Sequence, residues 1–365
     1  MCCIRLILFC RVFSFILFSC RSGLATSSVN NLLVAFATSL AATSSSRHPH
    51  LDLAIIALHY ISLHYIAFHT DTMKPFGVTA TCLGASIATL AVMRGLKKKT
   101  LSRSGAVSAW CVGFLMVGSG LRGFVLLMFY QIGSSATKYK KEWKESHDAT
   151  AAEGSVRGPS QVLGCSALAV ILSLVHVLKV GEEQRIDFHD NYLAASLTCA
   201  ILAHHATCLA DTMASELGML TKTTPVLITQ PWRTVPGGTN GGVTVFGTCM
   251  SAVGGALMGL GTACMDWCSG GFAVAPPAVP TLQLVVFGTV CGFVGSVIDS
   301  VLGATVQATY QNPEDRVIHH ERTQANFKHI AGMDLLTNVQ VNLVSICITS
   351  ALGGCVFGQW IFQSY

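Results

Sequence analysis

The chain has 365 residues, of which 51% are hydrophobic and 11% charged, with a mean hydropathy of +0.55 and a formal net charge of +5. A soluble domain carries roughly a quarter charged residues, so this composition excludes one and indicates an all-α, polytopic transmembrane helix bundle; the period-two alternation of a β-barrel is absent. The small net charge excludes a broad basic field for nucleic acid, and the 15 cysteines, which lie mostly inside apolar runs without a CxxC pair, read as small packing residues rather than a zinc or disulfide framework.

Residues 1–72 differ from the rest. A short apolar run from Ile4 to Cys20 is broken by Arg11, then come a Ser/Thr-rich stretch, RHPH at Arg47 to His50, and a second apolar run from Leu51 to His69. This extension is expected to be a signal anchor, an organelle-targeting presequence, or sequence added upstream by gene prediction, with a natural start at Met73. Its histidines His48, His50, His59, His64 and His69 lack zinc spacing. The membrane domain is assigned to residues 73–365. Its apolar spans run approximately Phe76 to Met93, Gly105 to Gly120, Leu121 to Gly133, Gln161 to Val180, Asn191 to Ala210, Gly241 to Cys264, Leu282 to Gln307 and Val339 to Phe362, about seven to eight core spans. The second and third are short and form a tight hairpin in this reading, with Arg122 at its tip. SAVGGALMGLG (Ser251 to Gly261) and GTVCGFVGS (Gly288 to Ser296) place small residues at helical spacing, which suits close approach of helix backbones in lipid.

Alternating these spans places Arg94 to Ser104, Ser134 to Ser160, Asp211 to Asn240 and Ala308 to Asn338 on one side, and that side holds most of the lysines and arginines of the membrane domain. The opposite loops are acidic (Gly181 to Asp190) or lack basic residues (Asp266 to Thr281). The bias assigns the basic side to the cytosol or an equivalent compartment. The polar motifs fall on that same side.

Asp211 ends one span and Glu216 follows it. On a continuous helix the two point roughly 140° apart, so they meet one ligand only if the helix ends or bends near Met213; otherwise they do different jobs. Thr212 shares a face with Glu216, and Ser215 with Asp211. Asp299 lies within a later span, where an aspartate costs about 2.5–3.5 kcal/mol on insertion scales and needs a partner or a purpose. A helix–helix hydrogen bond to Ser296, Ser300 or Asn342 is one reading and a metal or substrate role the other. Pro236 to Gly242 form a glycine-rich loop whose backbone N–H groups suit an anion, with Gly238, Thr239, Asn240 and Gly241 as the phosphate-binding candidates. Asn338 and Asn342 share a face at the start of the last span, a turn after Asp334. Lys98, Lys138 and Lys141 are the candidates for neutralising phosphate charge. His204 and His205, inside an apolar span, read as buried polar residues rather than part of a catalytic triad. Mg²⁺ is commonly held by one or two carboxylates and substrate phosphates, and phosphoryl transfer needs mainly positioning and charge neutralisation. The metal and catalytic candidates are therefore Asp211, Glu216 and Asp299, with Thr212, Ser215, Asn338 and Asn342 as polar support, and a prenyl or phytyl tail has room between the helices.

LKKKTLSRSGA (Leu96 to Ala106), DTMASELG (Asp211 to Gly218), VPGGTNGGVTVFG (Val235 to Gly247), GSVIDSVLGAT (Gly295 to Thr305) and HIAG (His329 to Gly332) together resemble the transmembrane protein 19 family, over roughly Phe76 to Phe362. That family includes a plant phytyl-phosphate kinase of the vitamin E pathway. The resemblance implies a kinase that phosphorylates an isoprenoid monophosphate, with CTP or ATP as donor, Mg²⁺ as cofactor, and membrane lipid or isoprenoid phosphate and nucleotide as partners. The membrane is expected to be an endomembrane (ER) or an organelle envelope. Two positions depart from the family pattern: Val339 stands for a polar residue, and Cys165-Ser166 for an Asn-Gly. The rival readings are a transporter or flippase for an anionic lipid or metabolite, marked by polar groups at mid-membrane and from both sides, and a multi-pass protein without chemistry.

Overall fold

The computed structural model describes residues 74–120, 123–145, 156–270, 281–320 and 326–362. The chain divides into two units, Met1–His69 and Thr70–Tyr365. The first, and with it the expectations for residues 1–72 and for a start at Met73, lies outside the described residues, as does Arg122.

The second unit is a helical bundle. Its helices are α1 (Val78–Lys97), α2 (Arg103–Gly118), α3 (Gly123–Lys138), the short α4 (Lys141–Glu145), α5 (Pro159–Gly164), α6 (Ala167–Lys179), α7 (Tyr192–Gly218), α8 (Val245–Gly270), α9 (Thr281–Val306) and α10 (Asn338–Leu352). A π-helical turn (Gly353–Phe357) and α11 (Gly358–Phe362) continue α10, so Asn338–Phe362 makes one span. Among the described residues five helices are long and apolar enough to cross a membrane: α1, α7, the Val245–Asp266 part of α8, α9, and α10 with its continuation. At 16 residues each, α2 and α3 are shorter, about 24 Å. They do form the expected hairpin, closed by the Gly123 N–H donating to the Gly120 carbonyl.

The fourth apolar run is not one helix. It breaks between α5 and α6 at Cys165-Ser166, and its second part spans only 13 residues. A broken helix leaves carbonyls that apolar surroundings do not satisfy. Here the Cys165 carbonyl accepts a hydrogen bond from His204 Nε2 of α7 at 2.9 Å. His204 and His205 are both fully buried, as the sequence reading expects.

The hub is α7. Of its most apolar stretch 89% is buried, against 22–44% in the other four spans. It packs on α3, α6, α8, α9 and α10, and Cys199, Leu202, Ala203, Ala206 and Leu209 form a core with Met258, Leu284 and Phe287. Small residues let these backbones meet as expected: a side chain at Gly255 of α8 would strike the Gly288 carbonyl of α9, and one at Gly254 would lie 2.8 Å from the Ala210 Cα.

Two small antiparallel sheets at one end of the bundle are absent from the sequence reading. Strands β1 (Val226–Leu227), β2 (Gln230–Thr234) and β3 (Gly242–Val243) pair in the order β2-β1-β3, with Val226 opposite Thr234 and Val243. Strands β4 (Thr309–Gln311), β5 (Ile318–His319) and β6 (Lys328–Ala331) pair in the order β5-β4-β6, with Tyr310 opposite His319 and His329. Leu227, Val235, Ile330 and Ala331 bury a small apolar cluster against Ala304 at the end of α9, and Arg233 Nη2 donates to the Ile330 carbonyl at 2.6 Å. The sheets thus fix the segments before α8 and after α9 to each other.

Candidate functional site

The ends of α1, α3, α7 and α9, the starts of α2, α8 and α10, and the loops between them surround one cavity of about 1370 Å³. All four segments that hydropathy assigns to the basic side contribute to its lining. Asp211, Glu216, Asp299, Asn338, Asn342 and the Gly237–Gly242 loop face it together.

The helix carrying Asp211 and Glu216 neither ends nor bends at Met213; α7 runs on to Gly218. The two carboxylates therefore diverge and have different surroundings. Glu216 Oε2 accepts a 2.5 Å ion pair from Lys144 Nζ, which also donates to the Ala136 and Thr137 carbonyls at 2.9 and 3.2 Å. Lys144 is 2% exposed. It fastens α4 to the last turn of α3, where a cation also meets the negative end of the helix dipole. The half-buried Asp211 carboxylate accepts no hydrogen bond from the described residues, yet lies within electrostatic reach of Asp299 and Glu216. Thr212 and Ser215 turn their hydroxyls back on α7, donating to the carbonyls of Cys208 (2.8 Å) and Asp211 (2.9 Å).

Asp299 sits two turns before the end of α9. Its Oδ2 accepts from Ser345 Oγ at 3.0 Å and, in the amide orientation that satisfies both neighbours, from Asn342 Nδ2 at 3.0 Å, while the same Nδ2 reaches the Asn338 carbonyl at 3.2 Å. Asn342 is thus the helix–helix partner anticipated for this aspartate, and Ser345 is one the sequence reading missed. Two hydrogen bonds offset the cost of an ionised group at depth, and Oδ1 keeps its accepting capacity among the described residues.

The glycine-rich loop does not open a helix directly, as its sequence suggests. It leads into β3, and α8 begins only at Val245, where Thr244 Oγ1 accepts the Gly247 N–H at 3.0 Å. Asn240 is committed to structure: its N–H donates to Thr309 Oγ1 at 3.1 Å and its Nδ2 to the Ala308 carbonyl at 3.0 Å. Thr239 is buried, with its hydroxyl and N–H both on the Pro236 carbonyl. The N–H groups of Gly237, Gly238 and Gly241 donate to no group among the described residues. Gly241, at φ +71°, packs so closely on α9 that a Cβ would lie 2.6 Å from both the Ser300 carbonyl and the Ala304 nitrogen.

The basic residues require correction. Lys98 and Lys138 are exposed and do not line the cavity, and the side chain of Lys141 lies outside the described residues. Lys144, Arg157 and Lys222 line it instead. Arg157 is held by its backbone, which pairs with Thr100 and Ser102 before α2, and its guanidinium and the Lys222 ammonium have no hydrogen-bond or ion-pair partner among the described residues. In the sequence these three count only toward topology, because nothing in a loop's composition says which lysine folds inward. The two departures from the family pattern meet on one wall: a side chain at Gly164, beside Cys165-Ser166, would press on Val339 Cγ1 at 2.6 Å.

Among the described residues no three His, Cys, Asp or Glu side chains gather as a ready metal cage. The expected three-carboxylate set is therefore not assembled, because Glu216 is turned to Lys144. Asp211 and Asp299 remain as two carboxyl groups from separate helices at one cavity. That donor chemistry fits Mg²⁺, which takes few protein ligands and completes its octahedron with water and phosphate.

A family model described as "Integral membrane protein DUF92" matches residues 86–350. The chain is 33% identical over 269 residues, covering 73% of its own length and 92% of the relative's, to Protein PGR of Arabidopsis thaliana. It is 29% identical to an uncharacterized membrane protein of Synechocystis sp., over 63% of this chain and 80% of that one. It is also 29% identical to Protein VTE6, chloroplastic, of Arabidopsis thaliana, over 40% of this chain and 42% of that one. No solved structure matches.

Proposed function

The chain belongs to the DUF92 integral membrane family, in agreement with the resemblance carried by its motifs, and from that premise we propose that it is a Mg²⁺-dependent kinase of isoprenoid monophosphates. One observation carries the reading: carboxylates from two separate helices, Asp211 and Asp299, face one cavity with the unengaged N–H groups of Gly237, Gly238 and Gly241. The Asp211 carboxyl, without a hydrogen bond among the described residues, is costly to keep at a membrane rim unless a ligand uses it.

In this reading the glycine N–H groups, Arg157 and Lys222 bind the phosphates of a nucleoside triphosphate, CTP or ATP, and of the acceptor. Asp211 and Asp299 hold Mg²⁺, which supplies charge neutralisation on the donor phosphates when bound. Asn342 and Ser345 keep Asp299 aimed. The Lys144–Glu216 pair holds α4 at the edge of the cavity, so Glu216 is a positioning residue. An acceptor phosphate oxygen forms a bond to the terminal phosphorus, the bond from that phosphorus to the bridging oxygen breaks, and nucleoside diphosphate leaves. The products are the isoprenoid diphosphate and the nucleoside diphosphate, and a dianionic acceptor needs no general base. An endomembrane or organelle envelope is the membrane this reading expects.

The test is an activity screen of purified protein with phytyl and geranylgeranyl monophosphate against CTP, ATP, GTP and UTP in the presence of Mg²⁺. Diphosphate formation that stops on chelation supports the reading; its absence with every pair in folded protein removes it. A second reading, transport of an anionic lipid or metabolite, is favoured by the break between α5 and α6, since interrupted helices line many transporter sites. Flux in proteoliposomes without nucleotide consumption would select it.

A further inference from the structure

The cavity has two chemically different parts. Beside Asp211 and Asp299 its wall is polar. Away from them it is lined by Ala88, Ala91 and Val92 of α1, Ala109, Val112 and Gly113 of α2, and Leu126, Leu127 and Phe129 of α3. Leu126 lies 12 residues before the rim end of α3 at Lys138, so this apolar arm descends about 18 Å along the helix, over half of a hydrocarbon core of about 30 Å. The whole cavity, about 1370 Å³, exceeds the roughly 300–1,000 Å³ typical of a small-molecule pocket. Tyr130 of α3 also lines the cavity, but the rest of this wall is apolar, and phosphates and a metal have little use for such an arm. Small residues create the room: Ala88 and Gly113 bring α1 and α2 together, with a Cβ on Gly113 only 3.3 Å from that of Ala88, while the half-buried Ala91 and Ala109 leave space in front of them.

We propose that this arm, walled by α1, α2 and α3, binds the hydrocarbon chain of a single-chain lipid phosphate whose head lies at Asp211 and Asp299, and that Ala91 and Ala109 set the bulk of chain it admits. The proposal rests on the kinase reading for the position of the head but not for the chemistry performed there. A chain in the arm removes apolar surface from the water that enters at the rim, which is favourable at about 25 cal/mol per Å², and it holds the phosphate at a fixed height beside the carboxylates.

The experiment uses the full chain in nanodiscs and a geranylgeranyl monophosphate carrying a diazirine at the far end of its chain. Irradiation is expected to label peptides of α1, α2 and α3 around Ala91, Ala109 and Leu126, and excess unlabelled geranylgeranyl monophosphate is expected to suppress that label. Label that is suppressed but confined to other helices, or label that no competitor suppresses, overturns the proposal. Diphosphate formation from the same compound is read separately. Labelling in the arm without turnover keeps the lipid site and removes the kinase reading, whereas turnover with label elsewhere does the reverse. The variants Ala91→Phe and Ala109→Phe, checked for folding by thermal unfolding, are expected to lower competed labelling and to shift the kcat/KM ratio of geranylgeranyl over geranyl monophosphate about tenfold toward the shorter chain. An unchanged ratio in folded variants overturns the role of these two alanines. Should both variants fail to fold, Ala91→Leu and the labelling of the unsubstituted chain decide the matter.

Discussion

The three helices α7, α8 and α9 and the three helices α1, α2 and α3 solve opposite problems with the same small residues. In the first group glycines let backbones touch, as Gly255 does with the Gly288 carbonyl, and nothing is left between them. In the second group alanines and a glycine face a cavity. Burial runs the same way: 89% of the apolar stretch of α7 and 39% of those of α8 and α9 are covered, against 22% of that of α1. In lipid there is no hydrophobic drive to collapse a gap, so packing is set by contact alone. The lesson is that one half of the bundle brings backbones into contact and the other leaves room between them.

The comparison breaks most severely if Asp211 is dispensable. The Asp211→Asn variant is expected to lose turnover by on the order of 10³-fold with its thermal unfolding unchanged; full turnover would remove Asp211 from the chemistry. Next comes Gly255→Val, which drives a side chain into the Gly288 carbonyl and is expected to destabilise by about 3 kcal/mol or more, seen as a lowered unfolding midpoint in detergent. The same midpoint should move far less on Gly181→Ala, where a Cβ meets nothing within 4 Å and only the φ of +90° is strained. Glu216→Gln is expected to cost about 1–3 kcal/mol by removing the only carboxylate paired with the buried Lys144 ammonium among the described residues and to lower activity less than Asp211→Asn, which separates a positioning carboxylate from a catalytic one. The smallest effect is expected from Lys222→Ala. It should raise the nucleotide KM several-fold and leave the unfolding midpoint in place, because Lys222 is exposed and makes no ion pair among the described residues.

Much of this arrangement is legible in the sequence. Hydropathy draws the long helices, because twenty apolar residues have few alternatives in a bilayer, and the loop alternation correctly groups the segments that surround the cavity. The angular argument also holds: with α7 continuous, Glu216 turns to Lys144 while Asp211 faces the cavity without a hydrogen bond among the described residues. What stays hidden has physical reasons. Cysteine and serine are too small and too weakly polar to mark the break at Cys165-Ser166, whose stability depends on a histidine 39 positions away. Strands of two to five residues are too short to show alternation. The inward turn of Lys144 is decided by two terminal carbonyls of α3 and by Glu216, partners that no local pattern announces. The exposed Lys98 and Lys138 have the same composition around them and the opposite fate.

The contact between Gly241 and the last turns of α9 has a mechanical meaning. Asp299 is carried by α9, and Asn240 is tied to Ala308 and Thr309 just beyond it, so the glycine-rich loop and this carboxylate ride on a single body. Neither can shift without the other, and the distance between them is a constant of the molecule. On the proposed reading, adjustment to ligands of different size comes from the wall of α1, α2 and α3, which makes the far side of the cavity the place where relatives of this chain can diverge in what they accept.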